Sequence, residues 1–584
     1  MRFSLCLLSA ATALRLRRVP QGRESAAARA RAIRSSWRDR SGIRGGATTD
    51  RPESSTLRGT DRSEAAAEAA AAPRGGATED GIEEDAIEDI LSYGGSHQDQ
   101  MQGLLAAVAS QEVQESISDS EAIMAMQSRT GVIYATACAK RWGYKGPADT
   151  AWGNLGQGAP ETGPIDGAPA RDLVVELDDE TCEYGDVNGR HDLRQAVADY
   201  YNHWFRQGEK GKDKPSYYSA ANVAIVSGGR AGLSRLMCSL HNCNVGYFLP
   251  DYTAYQQLLG EFAGIAPIPI AHDVDGVSTS PESLRKNVRL QGLGALLWSN
   301  PSNPTGEPVE GDVLREYVKI AREEGTMFLM DEFYSHYMYE PKSAGDARPF
   351  RTLSSAEFVE DVEKDPVCIV NGFTKNWRLP GFRVCWVVGP KHCIDVLGSI
   401  GSFMDGGANN PLQKAAIPLL DPEFVEKDAL ALQAHFRAKR DYMINELEKM
   451  GIKAQRPKGG LPQSTFYLWA DVSALPPPLS NGVIFFEYCI RHKVICVPGI
   501  FFDVNPWHRR RFHKSPYLNM LRLSYGPAWP NLRAAVKGMK EIIDLAKAGK
   551  LPPLDAYSPP ASPPLRMPDG SLTGPRSVKK TARL

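Results

Sequence analysis

Two patterns of apolar and polar residues alternate along residues 118–550. Short apolar runs rich in β-branched residues are typical of buried strands, and stretches with apolar residues at helical spacing separate them. The stretch 312–324 shows the second pattern, with apolar residues at Val313, Tyr317, Ile320 and Ala321. Strands that alternate with helices predict an α/β fold. The predicted strands are 222–227, 246–249, 295–299, 327–330, 367–370 and 384–388.

The N-terminal part of the chain differs in composition from this central part. Residues 1–46 hold eleven arginines and no lysine, and Arg-rich sequence with few acids is typical of organelle transit peptides. We therefore expect a leader that targets a mitochondrion or plastid; a disordered basic tail on a cytoplasmic protein is the alternative. Residues 47–117 combine an alanine run with an acidic block and are interpreted as a low-complexity linker.

The C-terminal end is rich in proline. Residues 551–584 form a predicted tail, and its eight prolines predict that it has no regular secondary structure. Its last three residues, Ala582, Arg583 and Leu584, are similar to a peroxisomal address, although three residues carry little specificity.

Charge and composition exclude several classes of protein. The 68 basic and 69 acidic residues nearly cancel, which excludes a globally basic nucleic-acid-binding protein. No apolar run reaches the length of about 18 residues that a membrane span requires. The ten cysteines include no Cys-x-x-Cys pair. We therefore expect reduced, mostly buried thiols, and neither a disulfide scaffold nor a metal site.

Residues suited to binding a ligand follow several predicted strands at the points where the strands end. Ligands in open α/β sheets bind beside the carboxyl ends of the strands, so these residues are candidates for one shared site. Gly228 and Gly229 lead into a helical stretch, where backbone amides can bind an anion. Asp331 follows four apolar residues, which favours a carboxylate that faces a ligand. Lys375 lies among glycines and aromatic residues, where burial would lower its pKa and make its amine nucleophilic.

Each of these motifs also has a simpler interpretation. A glycine-rich turn can serve close packing, the Asn-Pro pairs after residue 299 can be turns, and a lysine is most often a surface residue. The glycine pattern is neither Gly-x-Gly-x-x-Gly nor a P-loop, which argues against a site for a dinucleotide or a nucleoside triphosphate.

In their order and spacing, the motifs of residues 150–530 resemble those of class I aminotransferases, which are pyridoxal 5′-phosphate (PLP) enzymes of fold type I. The resemblance rests on Asn303-Pro304-Thr305-Gly306, on Asp331 with Tyr334 three residues later, and on Lys375 with Arg383 eight residues later. It implies a large domain, 165–430, in which helices flank a mostly parallel central sheet. It also implies a smaller α+β domain from both ends, formed by an N-terminal arm in 118–164 and by residues 431–550.

The resemblance implies a role for each matching residue. Lys375 would hold PLP as a Schiff base, the internal aldimine, and would then shuttle a proton. Asp331 would pair with the pyridine nitrogen, while Asn303 and Tyr334 would hydrogen-bond the phenolate oxygen. Tyr252 would stack on the pyridine face. The residues expected at the phosphate are Gly229, Arg230, Ala231, Thr374 and Arg383.

Further matches concern the substrate and a second subunit. Gly158 lies in a loop similar to one that closes over the substrate carboxylate, and Arg522 matches the arginine that binds this carboxylate. Asn303 would also contact the substrate. Tyr184 resembles a tyrosine that reaches the phosphate of the partner subunit, which implies a homodimer with shared active sites.

One position departs from the dicarboxylate-specific subgroup of these enzymes. That subgroup has an arginine about five residues before an Asn-Pro pair, whereas Asp405 lies there, before Asn410-Pro411. The difference argues against aspartate specificity by that route. An acid at this position could favour neutral, aromatic or cationic side chains, or it could be a loop carboxylate in water.

We therefore expect a PLP-dependent aminotransferase that moves an amino group from an L-amino acid to a 2-oxo acid by a ping-pong mechanism. A PLP lyase of the aminocyclopropane-carboxylate synthase type is the first alternative, because it shares the Asn-Pro-Ser-Asn-Pro and Leu-Pro-Gly-Phe-Arg motifs. The second alternative is a non-catalytic, aminotransferase-like regulatory module. Such modules follow a helix-turn-helix domain, and residues 1–117 show no periodic pattern of that kind.

Overall fold

The computed structural model describes residues 131–171, 174–175, 177–207, 216–273, 279–339, 346–454, 461–510 and 514–559. The predicted leader (1–46), the predicted linker (47–117) and the part of the predicted tail beyond residue 559 lie outside the described residues.

Strands and helices alternate along the described chain, as its apolar pattern predicts. The strands are β1 (Gly153–Asn154), β2 (Val223–Val226), β3 (Cys243–Leu249), β4 (Ile265–Ala271), β5 (Leu293–Ser299), β6 (Met327–Asp331), β7 (Val367–Gly372), β8 (Cys385–Val388), β9 (Lys453–Ala454), β10 (Tyr467–Asp471), β11 (Val494–Ile495), β12 (Val497–Pro498) and β13 (Met520–Ser524). The helices are α1 (Gly131–Arg141), α2 (Asp179–Cys182), α3 (His191–Phe205), α4 (Gly229–Ser239), α5 (Tyr255–Glu261), α6 (Pro281–Gln291), α7 (Gly311–Glu324), α8 (Lys391–Met404), α9 (Asn410–Ala416), α10 (Pro422–Met450), α11 (Gly482–Arg491) and α12 (Trp529–Lys547).

A seven-stranded central sheet has the order β2-β8-β7-β6-β5-β3-β4. Its pairs are parallel except for those of β8, which runs antiparallel to both β2 and β7. Asp331 at the end of β6 lies opposite Ser299 of β5 and Val370 of β7. Because parallel strands end at the same edge of a sheet, the residues that follow β5, β6 and β7 meet there.

Helices cover both faces of this sheet. In β2, Val223 and Ile225 belong to the core that includes α3 and α7, whereas Ala224 and Val226 belong to the core that includes α4 and α8. Strand residues alternate between the two faces, so each strand is apolar throughout. The prediction of an α/β fold with a mostly parallel, helix-flanked sheet is confirmed.

Further strands lie outside the central sheet. An antiparallel sheet has the order β12-β13-β10-β9, and β1 pairs with β11. The β1–β11 pair joins the two ends of the described chain. In β13, Arg522 lies opposite Trp469 of β10 and Val497 of β12. The predicted domain boundaries stay predictions, and α10 runs through the one at 430/431.

All six predicted strands are present, with ends shifted by a few residues, but the edge strand β4 was missed. Pro267 and Pro269 lie within it, and proline argues against a strand because it donates no hydrogen bond. At the edge of the sheet β4 pairs with β3 alone, with these two residues opposite Val245 and Tyr247. The unpaired side of an edge strand tolerates the missing donors.

The apolar face predicted for residues 312–324 is wrong at one position. Val313 is 40% exposed, whereas its neighbour Leu314 is buried. The buried residues of α7 are Leu314, Tyr317, Val318, Ile320 and Ala321. The face centred on residues 314, 317, 318 and 321 has the i, i+3, i+4, i+7 spacing of a helix that packs on a sheet.

The start of the predicted tail is ordered, contrary to the expectation from its prolines. Residues 554–556 form one turn of 3-10 helix. The Tyr488 hydroxyl donates to the carbonyl of Pro552 (3.0 Å), and Tyr557 hydrogen-bonds to His492 (3.1 Å). Proline has no N–H donor, but its carbonyl oxygen still accepts hydrogen bonds. A donor on α11 can therefore hold this segment through such a carbonyl.

Three findings concern thiols, membrane spans and metal ligands within the described residues. All nine described cysteines are free thiols, and five of them are buried. No helix in the described ranges is long and apolar enough to cross a membrane. Within these ranges, no group of three or more His, Cys, Asp or Glu side chains could hold a metal ion.

Candidate active site

All but two of the predicted site residues line one cavity of about 290 Å³ at the carboxyl edge of the central sheet. The cavity lies where β5, β6 and β7 end and where α4 begins. The predicted residues that line it are Gly158, Gly229, Arg230, Tyr252, Asn303, Asp331, Tyr334, Thr374, Lys375, Arg383 and Arg522.

The last residue of β6 places a buried carboxylate at the floor of this cavity. Asp331 is only 5% exposed, and its Oδ2 accepts a hydrogen bond from the Tyr255 hydroxyl (2.8 Å). Its Oδ1 is buried and has no hydrogen-bond partner among the described residues. Burial raises the pKa of Asp331 to about 6, and the hydrogen bond from Tyr255 opposes this shift. The carboxylate is therefore suited to a protonated nitrogen donor supplied by a ligand.

The segment after β7 brings a lysine amine into the cavity. The Lys375 carbonyl accepts a hydrogen bond from the Tyr337 hydroxyl (2.8 Å), and its Nζ donates to the carbonyl of Gly158. Burial and the positive charge of Arg522 lower the pKa of Lys375 to about 8, although Asp331 opposes this shift. About a tenth of the amine is therefore neutral at pH 7, far more than for an exposed lysine, and only the neutral amine is a nucleophile.

Strand β13 places a buried guanidinium across the cavity. Arg522 is 1% exposed; its Nη1 donates to Asn303 Oδ1 (3.1 Å) and its Nη2 to the carbonyl of Gly156 (3.0 Å). The rings of Tyr467 and Phe502 flank it at 4.3 and 5.0 Å. Its buried Nε has no hydrogen-bond partner among the described residues. This arrangement fits a carboxylate ligand, because a carboxylate can accept from Nε and a terminal nitrogen together.

The start of α4 and the segment before β8 form a cationic, amide-rich corner. Gly228 caps α4 with φ +99°, and a Cβ there would lie 1.9 Å from Arg383 Nη2. A Cβ on Gly229 would lie 2.4 Å from the ring of Phe333. Both positions therefore require glycine, which brings the helix amides next to the guanidinium. The helix dipole and this cation together favour an anion such as a phosphate.

Tyrosine hydroxyls line the side of the cavity between β6 and β10. The hydroxyls of Tyr334 and Tyr467 are 2.9 Å apart and hydrogen-bonded. Burial raises the pKa of Tyr467 to about 12, so both hydroxyls keep their protons near neutral pH. The Tyr252 hydroxyl accepts a hydrogen bond from Arg230 Nη2 (3.0 Å).

A family model described as aminotransferase class I and II matches residues 151–521. This chain belongs to that family. An aspartate/prephenate aminotransferase from Thermus thermophilus is 25% identical over 373 residues, which are 62% of this chain and 84% of that protein. A probable aspartate/prephenate aminotransferase from Aquifex aeolicus is 23% identical over 376 residues, which are 64% of this chain and 86% of that protein.

The fold is also that of solved aminotransferase structures. An aspartate aminotransferase from Thermus thermophilus with maleate matches with a TM-score of 0.55 at 22% identity, over 73% of this chain and 100% of that chain. The resemblance inferred from the sequence motifs is thus confirmed, and this aminotransferase has fold type I.

The cavity of this aminotransferase fits PLP, the cofactor of its family. Asp331 Oδ1 is an unpaired acceptor suited to a pyridinium N–H. The corner formed by Gly228, Gly229 and Arg383 suits a phosphate. The amine of Lys375, whose pKa is lowered, suits an aldehyde. Three functional groups of PLP thus have chemically matched partners in one cavity.

Two predicted residues do not line the cavity. Tyr184 is 92% exposed and lies away from the cavity of its own chain, so its role toward a partner subunit stays a prediction. Ala231 lies in the first turn of α4, and its amide already donates to the carbonyl of Gly228 (3.0 Å).

Asp405 has a partner in the structure that the sequence did not indicate. Its carboxylate accepts from Nε (3.1 Å) and Nη2 of Arg235, a fully buried residue of α4. Burial alone would raise the pKa of Asp405, but the hydrogen bonds and charge of Arg235 outweigh it and hold the pKa below its usual value. Asp405 therefore joins the end of α8 to α4, and it does not line the cavity of its own chain.

Two residues of the site were missed by sequence reasoning. Tyr255, which holds Asp331, lies three residues after Tyr252, and this turn spacing could have indicated it. Tyr467 meets Tyr334 from a strand more than a hundred residues away in sequence, and no local signal marks it.

We expect the Tyr255→Phe variant to bind PLP with a shifted pH dependence. Asp331 must be ionised to pair with a pyridinium, so affinity falls as the pH falls through its pKa of about 6. Removing a hydrogen bond to the ionised form raises that pKa by about one unit, and the midpoint moves up with it. Titration of cofactor-free protein with PLP between about pH 5 and 8 measures the midpoint.

The Tyr317→Phe variant is the matched control for this shift. The Tyr317 hydroxyl donates to the carbonyl of Thr279 (2.6 Å) and touches no residue of the cavity. A midpoint that moves equally in both variants, or in neither, would contradict the role of Tyr255.

Proposed function

We propose that this aminotransferase binds PLP on Lys375 and transfers the amino group of an L-amino acid to a 2-oxo acid in a ping-pong cycle. The observation that carries the proposal is a pair of buried atoms without partners in the described residues, Asp331 Oδ1 and Arg522 Nε. Both residues line the cavity that contains Lys375. An unpaired acceptor and an unpaired donor in one cavity match a pyridinium and a substrate carboxylate.

Arg522 binds the α-carboxylate of the substrate. Asn303 and the carbonyl of Gly156 hold two of its nitrogens, so the guanidinium is oriented before the substrate arrives. Its low exposure excludes water, which strengthens the charge-assisted hydrogen bonds. Gly158 forms the adjoining wall.

Lys375 moves the proton of the reaction. The amine of Lys375 would take the proton from the substrate Cα. With its pKa lowered to about 8, it can both accept and return a proton near neutral pH.

Bound PLP supplies an electron sink for the charge that develops at Cα. Asp331 would keep the pyridine nitrogen protonated, and Tyr252 would stack on the ring face. Asn303 and Tyr334 would donate toward the phenolate oxygen. The first-turn amides of α4, including those of Gly229 and Arg230, would hold the phosphate together with Thr374 and Arg383.

Replacing Lys375 by alanine tests this assignment. Wild-type protein should absorb as a PLP adduct of Lys375, and Lys375→Ala should lose that band because the covalent link is absent. Amino acids added singly should bleach the wild-type band, and 2-oxoglutarate should restore it. Release of ammonia or of a side-chain fragment without any 2-oxo acid would contradict transamination and favour the lyase.

The side chain of Arg230 favours a substrate with an acidic side chain. Arg230 is exposed at the cavity, and its cation also lies 6.0 Å from the Tyr252 ring. The other cations that line the cavity are Lys375, Arg383 and Arg522, and each has a proposed role. The aspartate/prephenate aminotransferases similar to this chain are named for acidic substrates.

We expect Arg230→Gln to lose activity toward acidic donors selectively. Removing a charge-assisted hydrogen bond should lower kcat/KM for aspartate about 10- to 100-fold. For leucine or phenylalanine it should change less than about threefold, since the backbone amide at the phosphate remains. An equal loss for both kinds of donor would contradict this role.

We also propose a homodimer that Tyr184 completes by reaching the partner's phosphate site. Four exposed apolar side chains support it: Val174, Leu177, Tyr184 and Phe403 are 72–92% exposed. Asn410 joins the segments that carry Tyr184 and Phe403, because its Nδ2 donates to the carbonyl of Glu180 (3.1 Å). Exposed apolar surface of this kind is typical of an interface.

Light scattering tests the dimer. Wild-type protein should have twice the chain mass, and Phe403→Asp should shift it toward monomer, while the control Leu290→Asp, on the 74% exposed Leu290 of α6, should not. Tyr184→Phe should stay dimeric and bind PLP about tenfold more weakly. A fully active monomer would contradict the shared site.

The Arg-rich composition of residues 1–46 supports import into a mitochondrion or plastid. We keep this as a proposal about the leader, which lies outside the described residues.

A further inference from the structure

The loop 155–163 touches both reacting ends of the cavity through its backbone. The carbonyl of Gly156 accepts from Arg522 Nη2 (3.0 Å), and the carbonyl of Gly158 accepts from Lys375 Nζ. The orientation of both cations thus depends on where this loop lies.

A glutamate of the same loop is fixed by a cluster of buried charges outside the cavity. Glu161 Oε1 accepts hydrogen bonds from Lys439 Nζ and from His435 Nε2 (2.5 Å), both on α10. Lys439 is fully buried and also donates to the carbonyl of Pro527 (2.8 Å). The Glu161 amide donates to the carbonyl of Gly526 (2.9 Å), four residues after Arg522.

The electrostatics of this contact favour an ionised Glu161. Burial would raise the pKa of Glu161, but the His435 hydrogen bond and the charge of Lys439 outweigh it and hold the pKa below its usual value. Burial lowers the pKa of Lys439, and Glu161 opposes that shift. Removing either partner leaves the other as a poorly solvated charge.

A second contact holds the end of the loop to the segment that carries Lys375. Arg378 is 1% exposed, and its Nη1 donates to the carbonyl of Gly163 (2.6 Å). Its φ of +57° is in the left-handed region, which a non-glycine residue disfavours. Asp428 of α10 lies 3.8 Å from its guanidinium. Arg378 keeps this unfavourable backbone conformation, and its guanidinium reaches both the loop and α10.

We propose that Glu161 and Lys439 are positioning residues that anchor loop 155–163 to α10, so that its carbonyls orient Arg522 and Lys375 for the substrate. Neither residue lines the cavity. The anchor acts on the α-carboxylate, which all amino acids share, and so affects all donors alike. This inference rests on the proposed function.

Hydrogen exchange of the cofactor-free full chain measures how firmly the anchor holds loop 155–163, and it requires no catalysis. In Glu161→Gln and Lys439→Met, we expect peptides that cover residues 155–163 to exchange at least about tenfold faster than in wild type. The matched control is Glu423→Gln, which removes the carboxylate of an exposed Glu423–Lys427 ion pair on the same helix. The control should leave exchange in the loop unchanged.

Kinetics separate positioning from stability. The double variant Glu161→Gln/Lys439→Met leaves no unpaired charge at the contact, so it should regain most of the thermal stability that the single variants lose. We expect its KM to stay about tenfold above wild type for aspartate and phenylalanine alike, with kcat within about threefold.

Two results would overturn the anchor: exchange in the loop equal to that of the control, or a KM in the double variant within about twofold of wild type. A wild type that fails to transaminate would instead contradict the proposed function, and the exchange measurement would still decide the anchor because it needs no cofactor.

Discussion

A carboxylate buried at the end of a parallel strand is the constraint on which the rest of the site depends. The register of β6 against β5 and β7 places Asp331 beneath the cavity, where water cannot solvate it. One oxygen is satisfied by Tyr255, and the other has no partner among the described residues. An ionised group in such a place is costly unless a cation faces it. A ligand with a protonated nitrogen would stabilise the ionised carboxylate of Asp331. The rest of the cavity fits a cofactor that has such a nitrogen.

Lys375 and Arg522, two cationic residues of the cavity, each suit a different kind of chemical group. Burial and repulsion from Arg522 lower the pKa of Lys375, whereas the guanidinium of Arg522 lies between aromatic rings. The separate tasks proposed for them, a covalent amine and a carboxylate clamp, agree with the difference between an ammonium and a guanidinium. The two groups also share a neighbour, since the loop that Glu161 fixes supplies a carbonyl to each. The positions of Lys375 and Arg522 thus depend on a charge cluster that lies outside the cavity.

Sequence alone predicted the parts of the fold and site that short segments encode. Asp331 and Lys375 could be predicted because each follows an apolar run that indicates a strand. The residues that follow such strands meet at one edge of the sheet. Strand β4 was missed because Pro267 and Pro269 contradict a local rule that only an edge position relaxes. The partners of Asp405 and Glu161 could not be predicted, because 170 residues separate Asp405 from Arg235 and 278 separate Glu161 from Lys439. Such contacts follow from tertiary packing, which no local pattern records.

The protonation state of the cofactor nitrogen tests the central claim most directly. Nitrogen-15 NMR of PLP labelled at the pyridine nitrogen and bound to the full chain reports it without turnover. We expect a protonated nitrogen in wild type near neutral pH and an unprotonated nitrogen in Asp331→Ala, because the buried carboxylate alone holds that proton. An unprotonated nitrogen in wild type, or a protonated one that persists in Asp331→Ala, would contradict the account.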